Sequence, residues 1–110
     1  MAATIDLEQL TGAGKVHNLS GRERGLAARE LFQLDALDAD PQPVDVLVPD
    51  YVYSLTPSFV QGFFGQSVQA FGNDPDRFKT HFRFRAPAIV MQQLERGLAA
   101  ITTQRDLRLL

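Results

Sequence analysis

Two hydrophobic periods run through this chain, and the switches between them mark its elements. Val44-Asp45-Val46-Leu47-Val48 is short, rich in β-branched residues and bounded by Pro43 and Pro49, which predicts a strand. His81-Phe82-Arg83-Phe84-Arg85 alternates strictly, so a further strand sets Phe82 and Phe84 on one face. Between these runs Val60, Phe63, Phe64, Val68 and Phe71 recur at helical spacing. They predict a helix over Pro57–Phe71, with Thr56 as its N-cap and Pro57 at the first helical position. Phe59, Phe63 and Phe64 are spread too widely for one narrow stripe. One of the three is therefore expected on an exposed apolar patch.

The flanks follow the same logic. Ser20-Gly21-Arg22-Glu23 has the form of a capping box, in which Ser20 caps the helix and Glu23 reaches back to it. Ala27, Ala28, Leu31, Phe32 and Leu34 then carry a helical apolar face to about Leu37. Pro41 and Pro43 end it. A last helix opens at Pro87 and shows one stripe of Val90, Leu94, Leu98 and Ile101. Near the start, Thr4–Leu7 suggests a short strand, Thr11-Gly12-Ala13-Gly14 a turn, and Lys15–Leu19 a second short strand pairing back. Gly72-Asn73-Asp74-Pro75 is a stop and turn. The segment Gln104–Leu110 suits an edge strand, a docked tail or a partner contact.

The order is β(β)αβαβα. It implies a small α/β sandwich, a mixed sheet with helices, whose later strands pair in parallel. A length of 110 residues fits a single domain, 1–110, with enough chain to bury a core.

Composition narrows the chemistry. A net charge of -2 argues against a nucleic-acid binder that works by neutralising phosphates, and no membrane-surface signature is present. With no cysteine, disulfides, thiol catalysis and thiolate metal sites are excluded. No basic leader and no apolar run of membrane-spanning length is visible, so a cytoplasmic location is expected.

Candidate catalytic patterns fail on spacing. Gly12-Ala13-Gly14-Lys15 lacks the first glycine of a nucleotide loop, and Val16 stands where the Mg²⁺-holding hydroxyl belongs. His17 and His81 have no partner ligand at metal spacing. Asp35, Asp38, Asp40, Asp45 and Asp50 do not follow the calcium-loop pattern and suggest a solvated acidic stretch. Arg22, Arg24 and Arg29 suggest a charged outer helix face, with Glu23 and Glu30 beside them. No enzyme, metal or cofactor is expected.

What remains is the strand-to-helix corner at Ser54, Thr56, Ser58 and Phe59. Helix capping accounts for its hydroxyls. Such a corner also faces ligands in many α/β domains, and a phosphoryl group there would meet helix-end N–H groups.

Leu55-Thr56-Pro57-Ser58-Phe59-Val60, followed by Phe63-Phe64-Gly65, resembles the bacterial STAS-like family of unknown function. Arg22-x-x-Gly25-x-Ala27-Ala28-Arg29-x-Leu31 adds to the likeness, which spans about Ser20 to Ile101. The resemblance implies a fold related to STAS and anti-sigma factor antagonist domains. In those domains this corner docks a histidine-kinase-like ATPase and a serine there is phosphorylated. Aligned on the antagonist corner, the usual phosphoacceptor falls on Pro57 and the next residue is Ser58. Thr56 stands for the corner aspartate, and Val48 for the strand-end aspartate of the STAS-like family.

The leading expectation is thus a non-enzymatic, regulatory protein-interaction module. It would bind a protein partner through Ser54, Thr56, Ser58 and Phe59, with Ser58 the residue left for phosphorylation. The alternatives are a small anion- or nucleotide-binding domain or enzyme using the same helix N-terminus, with Arg22 or Arg85 converging there, and a structural homodimer. The dimer would join through Leu107–Leu110 or an edge strand.

Overall fold

The computed structural model describes residues 3–12 and 14–108, with the side chains of the last helix described through Thr102. The elements are β1 (Ala3–Asp6), a 3-10 turn (Leu7–Leu10), β2 (Asn18–Leu19), α1 (Arg22–Leu31), α2 (Leu34–Ala39), β3 (Val44–Leu47), β4 (Ser54–Leu55), α3 (Pro57–Ala70), α4 (Pro75–His81), β5 (Phe82–Arg85) and α5 (Ala88–Arg108). The expected small α/β domain is present. Its described strand pairs are all parallel and form two ladders: a three-stranded sheet in the order β1-β3-β5, and the short pair β2-β4. The second short strand therefore pairs with Ser54–Leu55, and not back onto the first.

Register follows the hydrophobic pattern, because a slip of one residue would invert every side chain. Ile5 lies opposite Val46, and Val44 opposite Phe82, which puts these buried residues on one face. The other face carries Thr4, Asp45 and Arg83 across one row, with Arg83 Nε donating to Asp45 Oδ1 at 3.0 Å.

α3 is the centre of the molecule. Phe59, Phe63 and Phe64 are all buried, so the expected exposed apolar patch on this helix is absent at these three residues. The narrow-stripe expectation fails because α3 packs against α1 on one side and α5 on another. A helix enclosed by neighbours buries most of its circumference. The rings continue across the core: Phe64 stands 5.2 Å from Phe78, and Phe78 5.0 Å from Phe82, centroid to centroid.

Two glycines set the α1–α3 approach. A Cβ on Gly62 would lie 2.2 Å from the Arg22 carbonyl oxygen, and one on Gly25 2.4 Å from that of Phe59. Backbone fills the space that a side chain would need.

Several boundaries differ from the sequence expectations. Gly21, with φ 93°, is the N-cap of α1 and makes no side-chain cap bond, so the Ser20 capping box does not form. The helix expected to run to Leu37 breaks at Gln33, which is left-handed at φ 54°, and α2 starts anew. Asp74 and Pro75 do more than stop α3. The Asp74 side chain accepts from the Asp76 amide at 2.9 Å and starts α4, an unexpected element that takes His81 from the strand. The last helix continues to Arg108, through the start of the expected tail, while Leu109 and Leu110 lie outside the described residues. Side-chain contacts of the tail, including the Leu107–Leu110 dimer contact, lie outside them too.

Candidate functional site

The β2-β4 ladder builds the corner. The Tyr53 amide donates to the His17 carbonyl at 3.0 Å, Ser54 and Leu55 pair with Asn18 and Leu19, and the Thr56 amide donates to the Leu19 carbonyl at 3.0 Å. Gln93 on α5 accepts the Leu55 amide and ties the ladder to the last helix. Chain direction then changes at Thr56, the N-cap of α3 as expected.

Thr56 is fully engaged. Its Oγ1 accepts from the Phe59 amide at 3.3 Å and from the Gly21 amide at 3.4 Å, and it lies 3.2 Å from Ser58 Oγ. One hydroxyl therefore joins the starts of α1 and α3. Of the other corner residues, Ser54 is half-buried, and Pro57 and Ser58 are exposed. Phe59 is 1% exposed, so its ring belongs to the core and does not face outward to a partner. Tyr53, which sequence reasoning passed over, stands 62% exposed one residue before β4. No period in the local sequence sets it apart, because its buried neighbours Val52 and Leu55 are three residues apart and fit no strict alternation.

The loop behind the corner is cross-braced. Tyr51 Oη lies 2.8 Å from the buried Thr11 Oγ1, and His17 Nδ1 lies 3.0 Å from the Tyr51 carbonyl oxygen, to which it donates. His17 thus has a structural partner. His81 does as well, its Nε2 lying 2.8 Å from the Leu37 carbonyl oxygen.

Of the arginines expected to converge at the corner, Arg22 follows Gly21, whose amide donates to Thr56 Oγ1. Arg22 is exposed at the first position of α1, and Arg85 is exposed at the end of β5. Neither lines any of the described clefts. Among the described residues no group of three His, Asp or Glu side chains gathers to hold a metal ion.

Arg29 corrects the sequence expectation most sharply. It is buried, not part of an outer charged face. Its Nη2 donates to Asp35 Oδ1 and to Asp38 Oδ2, each at 2.6 Å, and its Nη1 donates to Ser67 Oγ at 2.8 Å and to the Phe63 carbonyl at 3.2 Å. The break at Gln33 makes this possible. In an unbroken helix, Asp35 and Asp38 would point about 120° and about 180° away from Arg29. The acidic residues expected to be solvated are therefore divided, with Asp38 drawn inward and Asp35 left outside. This cluster braces α1, α2 and α3, and leaves Arg29 Nε and Asp38 Oδ1 buried without a hydrogen-bond partner among the described residues.

No family model, curated protein or solved structure matches the chain.

Proposed function

We propose that this protein is a non-enzymatic interaction module that docks a protein partner at the strand-to-helix corner, residues 53–58. The observation that carries the reading is the exposure of Tyr53 beside a corner that Thr56 hydrogen-bonds to the starts of α1 and α3. An exposed aromatic on a hydrogen-bonded frame offers a large contact area with few rotamers to order. Ser58 and Pro57 extend the same surface, with Ser54 half-buried beside them. Thr56 acts as the clamp that shapes the corner, and Phe59 as the core anchor beneath it.

The STAS-like resemblance of Leu55–Gly65 supports this reading and suggests the partner, a histidine-kinase-like ATPase in the cytoplasm. Ser58 is exposed in the first turn of α3, where an added phosphoryl group would sit near the helix N-terminus. It would place nearly two negative charges on the docking surface and act as a switch. The anion-site alternative draws less support at this corner, since the Thr56 hydroxyl is already committed to two amides.

The test is capture of a purified kinase-like ATPase by the protein and by two variants, Tyr53→Ala and Ser58→Glu. Both side chains are exposed, so both variants should fold normally. Each is expected to weaken capture by about tenfold or more, the scale of an interface anchor. Undiminished capture by both variants would remove the corner from the interface.

A further inference from the structure

A separate apolar cleft of about 390 Å³ opens between α1 and the segment leading into β2. Its floor is made of Leu19, Ala28 and Phe59, all buried. Arg24 and Leu31 stand exposed at its rim, and Leu31 keeps 58% of its surface in water. Arg24, Ala27, Ala28 and Leu31 follow helical spacing and form one stripe of α1. The two short alanines between the longer ends make the hollow.

We infer that this cleft binds a small amphipathic monocarboxylate, an unbranched apolar chain with one carboxylate head. Arg24 is the one charged residue among those lining the cleft, and it makes no ion pair among the described residues. A guanidinium matches a carboxylate through two parallel N–H donors. The rest of the lining supplies apolar contact and the Gly12 backbone. Arg24 and Leu31 are about 10 Å apart along the helix axis, the reach of a chain of roughly eight to ten carbons. The volume falls in the range of small-molecule sites. The stripe lies beside the one through which Gly25 meets α3, with Phe59 of α3 closing the floor, and the inference does not depend on the docking role of the corner.

The probe is decanoate, with 1-decanol as its uncharged counterpart, both titrated below their aggregation limits and followed by amide chemical shifts. Decanoate is expected to shift resonances of Val16, Leu19 and residues 24–31, and to bind about tenfold more tightly than decanol, as expected for a hydrogen-bonded charge. Arg24→Gln is expected to bring decanoate down to the decanol level. Ala27→Trp fills the hollow from an exposed position and should abolish binding of both without loss of the thermal transition. The inference is overturned by absence of decanoate binding, by equal affinity for the two probes, or by unchanged binding in Arg24→Gln. Sedimentation as a dimer that Ala27→Trp dissociates would equally overturn it, since a second copy would then be the occupant.

Discussion

Arg29 shows how much one side chain can hold. A buried guanidinium is costly to desolvate, and the cost is offset only when charge and hydrogen bonds are supplied together. Asp38 meets that need from within the protein, its side chain 9% exposed, whereas the Asp35 side chain is 84% exposed. The two partners are at similar distance, so burial decides their energetic rank. Asp38→Ala is expected to destabilise the fold by about 3 kcal/mol, because it removes the buried carboxylate from a buried guanidinium and leaves only the exposed one. Asp35→Ala should cost less than about 1 kcal/mol, as for an exposed ion pair. Chemical denaturation of both variants measures the difference, and equal losses would contradict this ranking. Nothing in the local sequence around Arg29 announces its burial. Glu30 is its neighbour in the chain, but its carboxylates arrive from beyond the break at Gln33. Thr56 is the opposite case. Its cap bond needs only the next three residues, and the order Thr-Pro-Ser was sufficient to read it.

At the scale of elements, the contact between α1 and α3 is set by missing side chains. Gly25 and Gly62 let the two backbones approach, and a methyl group at either would overlap a carbonyl oxygen. Alanine normally favours a helix over glycine by about 1 kcal/mol. That gain should be reversed here. Gly62→Ala is expected to destabilise by about 1–3 kcal/mol through overpacking. Gly65, on the same helix, has open space where its Cβ would stand. Gly65→Ala should stabilise by about 0.5–1 kcal/mol. Thermal unfolding of the two variants gives the signs, and a common sign would show that packing is not the cause. α3 itself was legible from its apolar spacing and its cap. Its burial on several sides was not, because a period identifies the face that is buried first and says nothing about a second and third neighbour. The break between α1 and α2 was hidden for a related reason, since apolar spacing continues across Gln33 with little interruption.

In the whole molecule, stability is concentrated around α3. The helix joins the buried face of the β1-β3-β5 sheet to α1 and α5, and Phe63, Phe64 and Val68 lie fully within the core. The β2-β4 ladder has two paired positions and stands apart from the main sheet. Amides of α3 should therefore exchange with solvent only through global opening, while Ser54 and Leu55 exchange through local opening. Hydrogen exchange resolved by residue checks this order. Slower exchange at Ser54 and Leu55 than at Phe63 and Phe64 would refute it. No described helix is long and apolar enough to cross a membrane. The partition of stability suits the proposed role: a firm core carries a short ladder, and the ladder carries the corner.

Local features were readable from the order of the amino acids alone. The α/β class, the strand at Val44–Leu47, the start of α3 at Thr56-Pro57 and the apolar stripe of α5 all follow from period, propensity and capping, which act over one or two turns. Tertiary structure decided what depends on neighbours distant in sequence. It placed Phe59 inside and left Tyr53 outside, drew Arg29 and Asp38 into the core, and hollowed the cleft between Arg24 and Leu31. Burial is a property of the packed assembly. A residue's own chemistry states what it needs from its surroundings, and only the fold determines which surroundings it receives.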